Sequence, residues 1–136
     1  MEKNINNYIN ESNKIVVSFK EREFVFDKGS TKYNEILNCY NDMVDSGYEM
    51  PAFGVSLHDD TINEMKTGLF IKFLFNSEKT HNGMVFNELA INVKKDYSGF
   101  NIIRKTNNRY EGRCFYINLN NKTMAELFSL LTSLCN

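Results

Sequence analysis

Between Leu69 and Leu119 the hydrophobic residues recur with a two-residue period, and this pattern limits the possible folds of the chain. Four strand-like segments follow one another there: Leu69–Phe75, Met84–Val93, Phe100–Thr106 and Tyr110–Leu119. The breaks between them are rich in residues typical of turns and lie at 79–83, 96–99 and 107–108. Because short turns join antiparallel neighbours, the pattern predicts an antiparallel sheet.

The chain before this sheet predicts a hairpin. Ile15–Phe19 and Phe24–Phe26 are β-type runs, and the charged residues 20–23 separate them. Residues 1–13 are polar and predict a loose arm or a first turn. Residues 48–57 predict an irregular segment or a short edge strand, since they contain a proline and a glycine.

Helical periodicity flanks the predicted sheet. One helix is expected to begin at Ser30 or Thr31, whose hydroxyls can cap free amides, and to end at Gly47 in a left-handed conformation. Another is expected after Thr123 and Glu126, which can form a capping box. The apolar residues recur every three or four positions in both: Tyr33, Ile36, Leu37, Tyr40, Met43 and Val44, then Met124, Leu127, Phe128, Leu131 and Leu134.

A single α+β domain over residues 1–136 is therefore predicted, with an antiparallel β-sheet packed against two main α-helices. One further helical turn, capped by Asp59 or Asp60 and closed by Gly68, precedes the long run of strands. Residues 69–75 are apolar on both faces of their strand, which indicates either helices covering both faces or a subunit partner.

Composition excludes several functional classes. Sixteen Lys and Arg against seventeen Asp and Glu give a net charge of −1, too balanced for a general DNA or RNA binder. The three cysteines include no CxxC pair, which favours reduced thiols in a cytosolic protein. No apolar run is long enough for a signal peptide or a membrane span.

The sequence shows no catalytic constellation, metal site or cofactor motif. His58 precedes Asp59 and Asp60, but adjacent residues point in different directions, so helix capping accounts for the carboxylates. His81 falls in a predicted turn and is expected to be solvated. Cys114 lies at an inward-facing strand position and is expected to be a small core residue rather than a nucleophile.

The last predicted strand carries a pattern that suits anion binding. Arg109, Glu111 and Arg113 share a face with Phe115, Ile117 and Leu119. The two arginine Cα atoms would stand about 13 Å apart, close enough for both guanidinium groups to reach one diphosphate. The alternative is a surface ladder of alternating charges, and a bulge at Gly112 would put the arginines on opposite faces.

Other candidates for ligand binding come from the neighbouring strands. Glu88 and Asn92 share a face with Phe86 and Ala90, and they are suited to ribose hydroxyls or a base edge. The aromatics Phe100 and Tyr110 flank the turns beside these strands, where a purine can stack. The alternatives are a solvated sheet face for the polar pair, and core or edge packing for the aromatics.

The whole chain, from KIVVSFKEREFVF through NNRYEGRCFYINL to the last helix, resembles the first-described Thoeris anti-defence family of phage proteins. The resemblance implies a protein without enzymatic activity that sequesters the cyclic ADP-ribose isomer made by bacterial TIR-domain proteins. The Thoeris effector in the host bacterial cytoplasm is then not activated during phage infection. It also implies Arg109 and Arg113 as the phosphate-facing pair, joined by Asn92.

The resemblance carries further implications about partners. It implies a homo-oligomer built from dimers, with pockets near the subunit interfaces. Some members of the family hold cyclic oligonucleotides at a separate site, to which no residue of this chain is assigned. Two other functions stay open at this point: a small nucleotide-cleaving enzyme, and a phage inhibitor that binds a host protein directly.

Overall fold

The computed structural model describes residues 4–50 and 59–135, except for the side chains of residues 59–62, 112 and 113. Seven strands are present in these residues: β1 (Lys14–Phe19), β2 (Arg22–Asp27), β3 (Tyr48–Met50), β4 (Phe70–His81), β5 (Met84–Asn92), β6 (Gly99–Thr106) and β7 (Arg109–Asn118). Four helices accompany them: α1 (Ile5–Ile9), α2 (Thr31–Val44), α3 (Asp59–Thr67) and α4 (Ala125–Leu134). The α+β class predicted from the sequence is confirmed.

The seven strands form one antiparallel sheet in the order β2-β1-β4-β5-β6-β7-β3. Strands β4 to β7 are neighbours in chain order, and β3 is the short edge strand expected from residues 48–57. Three hairpins turn through two residues that both have positive φ: Lys20–Glu21, Asn82–Gly83 and Asn107–Asn108. This turn geometry matches the twist of paired strands. The break at 107–108 is confirmed, and the other two hairpins turn more tightly than the breaks at 20–23 and 79–83 suggested.

The sheet has a different helix cover on each face. The α2/α4 face, which α1 also covers, carries the main core, whose largest fully buried side chains include Tyr40, Phe73, Phe86 and Phe115. The opposite face, here called the α3 face, carries a small cluster of Phe70, Ala90, Ile103 and Cys114, against which Met65 of α3 packs. Helices on both faces therefore explain why β4 is apolar on both sides.

Of the two alternatives predicted for residues 1–13, the described part from residue 4 onward forms a first helical turn rather than a loose arm. Asn4 caps helix α1 by accepting a hydrogen bond from the amide of Asn7, whose side chain accepts in return from the amide of Asn4. Ile5 and Ile9 are completely buried. Two isoleucines four positions apart form a minimal apolar face, which is too little periodicity to predict a helix from sequence.

Helix α2 begins as predicted but ends differently. The hydroxyl of Ser30 accepts a hydrogen bond from the amide of Tyr33 at 3.2 Å. Gly47, however, is not among the residues with positive φ. A Cβ at Gly47 would lie only 2.6 Å from the carbonyl oxygen of Asn118, so close approach to the end of β7 is what requires glycine there.

The predicted start of α4 and the predicted length of α3 need correction. The capping box expected at Thr123 and Glu126 is not formed, because α4 begins at Ala125 and Met124 occupies the cap position. The hydroxyl of Thr123 instead accepts a hydrogen bond from the amide of Ala125 at 3.3 Å. Helix α3 ends immediately before Gly68, as predicted, but it has nine residues rather than one turn. His58 lies outside the described residues.

An irregularity between β4 and β5 changes one predicted face. Four residues of β4 lie opposite the single residue Asn87 of β5, because the pairing shifts between Leu74 and Lys79. Phe86 consequently joins the core of the α2/α4 face. The uninterrupted alternation predicted that Phe86 shares a face with Glu88, and this prediction is wrong.

Candidate functional site

A cleft of about 640 Å³ opens on the α3 face where β5 and β7 end and β6 begins. The lining side chains of interest come from α3, from these strands and from the connection between β5 and β6: Glu64, Asn92, Lys94, Tyr97, Asn101 and Tyr116. The volume is within the range of sites that bind small molecules, about 300–1,000 Å³. We call this region the cleft end of the α3 face.

Three polar side chains meet in the cleft. The side-chain amide of Asn92 donates to Oε2 of Glu64 at 2.7 Å, and Nζ of Lys94 lies 3.3 Å from the same oxygen. Burial acts to lower the pKa of Lys94, but the hydrogen bond and charge of Glu64, with a smaller effect of Tyr97, raise it on balance. Lys94 is therefore a cation at neutral pH, and it forms an ion pair with the carboxylate of Glu64.

Two tyrosines supply aromatic surface at the cleft. The side chain of Tyr97 is 48% exposed, and Nζ of Lys94 lies 5.4 Å from its ring centroid. Tyr116 pairs with Asn101 across β6 and β7, and its hydroxyl lies directly over Gly99. Any Cβ at Gly99 would collide with that hydroxyl, so the glycine determines where the Tyr116 ring can lie.

The connection that carries Lys94 and Tyr97 is fixed by backbone hydrogen bonds. The amide of Leu119 donates to the carbonyl of Ser98 at 2.9 Å, and the amide of Met124 donates to the carbonyl of Tyr97 at 3.0 Å. The end of β7 and the start of α4 thus hold this segment in place. The cleft wall is built on these elements rather than on a free loop.

At the opposite end of the same strands, here called the hairpin end, the polar side chains contact one another beside a smaller cavity of about 310 Å³, which Glu88 and Lys105 help to line. The hydroxyl of Tyr110 donates to Oε2 of Glu88 at 3.2 Å, and Nζ of Lys105 lies 4.0 Å from Oε1. The Glu88 side chain is only 12% exposed. Burial, followed by the charge and hydrogen bond of Glu88, raises the pKa of Tyr110 above its ordinary value. The Glu88 carboxylate therefore has partners within the fold.

The residues predicted to bind ligand lie in separate places in the structure. Asn92 lies in the cleft, whereas Glu88 and Tyr110 lie at the hairpin end. Four positions along β5 separate Glu88 from Asn92, which corresponds to about 13 Å. Phe100 borders the cleft, but its side chain is 3% exposed and its ring packs 6.2 Å from that of Tyr40 in the main core. Its ring is thus not available for stacking on a purine.

The predicted arginine pair is only partly described. Arg109 is exposed beside the β6–β7 turn, where it pairs with Thr106. Seven positions along β7, or about 20 Å, separate Arg109 from Tyr116 in the cleft. The side chain of Arg113 lies outside the described residues. The structure therefore does not bring Arg109 together with Asn92.

A β-bulge is present in β7 at the place where the sequence suggested one as an alternative, around Gly112. Residues 111–113 of β7 stand opposite the single residue Arg104 of β6, because the register shifts between Ile103 and Lys105. The extra residues move the later part of β7 along β6 by two positions, so that Tyr116 rather than Cys114 pairs with Asn101. The bulge thereby determines which side chains meet at the cleft.

His81 is buried rather than solvated. Its Nε2 atom lies 2.9 Å from Oε2 of Glu49, and the ring is 7% exposed. Aromatic rings of Tyr8 and Phe115 contact it at centroid distances of 5.4 and 5.2 Å. The amide of Ile5 also donates to Glu49, at 2.8 Å. This cluster ties α1 to β3 and β4 within the core of the α2/α4 face, away from the cleft.

The cysteines occupy structural positions. Cys114 and Cys135 are buried, Cys39 is partly buried, and all three are free thiols. Burial raises the pKa of the Cys114 thiol, although the charge of Arg104 acts in the opposite direction. Within residues 4–50 and 59–135, no three His, Cys, Asp or Glu side chains come together as a metal site would require.

Sequence reasoning missed most of the cleft. Lys94 continues the face of Asn92 beyond the end of β5, so alternation alone could have identified it. Tyr97 stands in a predicted turn and gave an aromatic signal of the kind that singled out Phe100. Glu64 gave no signal, because its position depends on how α3 packs. The pairing of Asn101 with Tyr116 depends on the bulge.

No helix among the described residues is both long and apolar enough to cross a membrane. Comparison of the chain with protein-family models, with curated proteins and with solved structures gave no significant match.

Proposed function

We propose that the cleft binds a compact nucleotide, a cyclic ADP-ribose isomer, and holds it without converting it. The observation that carries this proposal is the meeting of a cation, Lys94, and an amide donor, Asn92, beside the exposed ring of Tyr97. A pyrophosphate is bound best by charged donors, and a purine by an aromatic face with amide partners at its edge.

Each part of such a ligand has a matching group in the cleft. Lys94 offers a charged donor to a phosphate oxygen. The side-chain amides of Asn92 and Asn101 can both donate and accept, which suits ribose hydroxyls or a base edge. Tyr97 and Tyr116 offer surfaces for stacking, worth about 1–3 kcal/mol per base. The near-neutral charge of the chain favours a small anion over a nucleic-acid polymer.

The biological part of the proposal rests on the resemblance to the Thoeris anti-defence family. The chain would sequester the isomer made by TIR-domain enzymes in the cytoplasm of the infected host, so that the effector is not activated. It would act without catalysis, as a homo-oligomer built from dimers, with a separate site for cyclic oligonucleotides. Sedimentation as a monomer at micromolar concentration would contradict the oligomeric part.

Ligand capture and release tests the main claim. Purified protein is incubated with cyclic ADP-ribose isomers, separated from free ligand and denatured, and the released small molecules are weighed by mass spectrometry. Intact ligand, released by the wild type and depleted in Lys94→Ala, is the expected result. A changed mass would indicate a nucleotide-cleaving enzyme. No ligand, together with a bacterial protein that co-purifies, would indicate an inhibitor of a host protein.

A further inference from the structure

The polar groups of the cleft are arranged around a single carboxylate. Asn92 and Lys94 both direct their donors at Glu64, with distances of 2.7 and 3.3 Å to the same oxygen. Lys94 also lies 3.4 Å from the second oxygen of Glu64. An ammonium and an amide that converge on two oxygens of one anion form the donor set that also binds a phosphoryl group.

Glu64 is able to leave this position without disturbing the core. Its side chain is 43% exposed, and that of Lys94 is 39% exposed, so the pair is a solvent-accessible salt bridge of the weakest class. Helix α3 is held by other contacts. Met65 packs against the cluster around Phe70, and the carbonyls of Lys66 and Thr67 accept hydrogen bonds from the β1–β2 turn. A rotation of Glu64 toward solvent keeps all of these.

We infer that Glu64 is an internal occupant of the phosphate position, and that a phosphorylated ligand binds by displacing its carboxylate from Lys94 and Asn92. This inference rests on the proposed function in treating the cleft as the ligand site. It makes Glu64 a specificity-determining residue, because a neutral nucleoside has no anion to take its place. The cleft then binds ligands that carry phosphate and does not bind the uncharged nucleoside alone.

The opposite role for Glu64 makes a different prediction. Carboxylates in nucleotide sites commonly accept hydrogen bonds from ribose hydroxyls, as in dinucleotide-binding folds. In that role Glu64 would contribute to affinity, and its loss would weaken binding. Replacement of the carboxylate by an isosteric amide separates the two roles, since Glu64→Gln removes the charge and keeps the size of the side chain.

The test uses inorganic pyrophosphate as the probe, titrated calorimetrically into the 136-residue chain at low salt. Glu64→Gln is expected to bind pyrophosphate about tenfold more tightly than the wild type, because a negative charge next to the bound anion is removed. Glu64→Asp retracts the carboxylate by one methylene, and we expect an intermediate gain. Addition of Lys94→Gln to Glu64→Gln should abolish the gain.

Glu35→Gln is the matched control. It removes the same charge from an exposed pair with Lys32 on α2, on the other face of the sheet, and should leave pyrophosphate affinity unchanged. Equal or weaker binding by Glu64→Gln, or no pyrophosphate binding by either protein, would overturn the inference. Capture of intact nucleotide by the wild type would then still support the proposed function. Conversely, a tenfold gain for pyrophosphate without nucleotide capture would leave a phosphate site and contradict the proposed function.

Discussion

The two ends of the α3 face have similar residues but differ in how far their carboxylates are exposed. At the cleft end, Glu64 and Lys94 form a pair in which both side chains are about two-fifths exposed, next to an open volume. At the hairpin end, Glu88 and Lys105 form a pair in which Glu88 is 12% exposed and is also bonded to Tyr110. Each end thus has a carboxylate, a lysine and a tyrosine.

The difference shows that residue type does not by itself indicate a binding site. At the hairpin end the partners of Glu88 lie on β6 and β7 of the same sheet, so the sheet itself satisfies the carboxylate. At the cleft end the carboxylate comes from α3, and the donors lie on β5 and just beyond it. A group held by a separate element can be replaced by a ligand at lower cost than one held within a sheet.

The largest expected difference between the two ends is in nucleotide affinity. Lys94→Ala removes a charged donor from the cleft and should weaken binding of a cyclic ADP-ribose isomer by about tenfold or more. Arg109→Ala removes a cation about 20 Å away along β7 and should leave affinity unchanged. Both side chains are exposed or partly exposed, so the melting temperatures should stay close to that of the wild type.

Calorimetric titration of the two variants in parallel measures this difference. The two substitutions remove the same unit of charge, so a general electrostatic effect would weaken both equally. Loss of binding in Arg109→Ala with normal binding in Lys94→Ala would show that the phosphate is held by the arginine strand, as the sequence predicted. The cleft would then not be the ligand site.

Much of the fold was predictable because local signals agreed with it. Two-residue periodicity between Leu69 and Leu119 identified four strands, and the turn residues between them determined their antiparallel order. Ser30 located the start of α2 because capping is a local interaction. By contrast, the burial of His81 depends on Glu49, which is 32 positions away, and no local pattern reports such a contact.

The candidate site was less predictable for the same reason. Asn92 was identified because its alternation with Glu88 and Ala90 is local. Phe100 was assigned to stacking because its place beside a turn does not reveal which face of β6 it occupies. The bulge in β7 shifts the register by two residues, and this shift brings Tyr116 opposite Asn101. The sequence indicated a bulge at Gly112 only as an alternative.

A smaller effect is expected from the glycine that positions Tyr116. Gly99→Ala introduces a Cβ that collides with the Tyr116 hydroxyl and forces the ring to move. We expect nucleotide affinity to fall about fivefold and the free energy of unfolding to fall by about 1 kcal/mol. The double variant with Tyr116→Phe lacks the colliding hydroxyl and should recover part of both losses.

Titration and chemical denaturation of both single variants and the double variant measure the coupling between these residues. Additive losses would mean that the glycine acts through the backbone and not through the tyrosine. An unchanged affinity in Gly99→Ala would mean that the ring of Tyr116 does not contact the ligand. Either result would weaken the contrast between the two ends, because Tyr116 would then not serve ligand binding at the cleft end.

The smallest expected effect concerns the hairpin end and its dependence on pH. Burial and the neighbouring Glu88 raise the pKa of Tyr110 in the folded state above the ordinary value of 10.0. The stability linked to this raised pKa is therefore complete below about pH 10 and is lost as the pH rises further. Fully buried Tyr40 also has a raised pKa, so the wild type loses stability through both tyrosines.

Tyr110→Phe isolates the contribution of the hairpin end. Between pH 10 and 11 the unfolding free energy of the variant should fall less steeply than that of the wild type, by less than about 1 kcal/mol per pH unit, because solvent screens a half-buried ring. Urea denaturation across this pH range provides the measurement. Identical slopes for Tyr110→Phe and the wild type would mean that the Tyr110–Glu88 contact is as open to solvent as the Glu64–Lys94 pair in the cleft. The carboxylates at the two ends of the α3 face would then not differ in exposure.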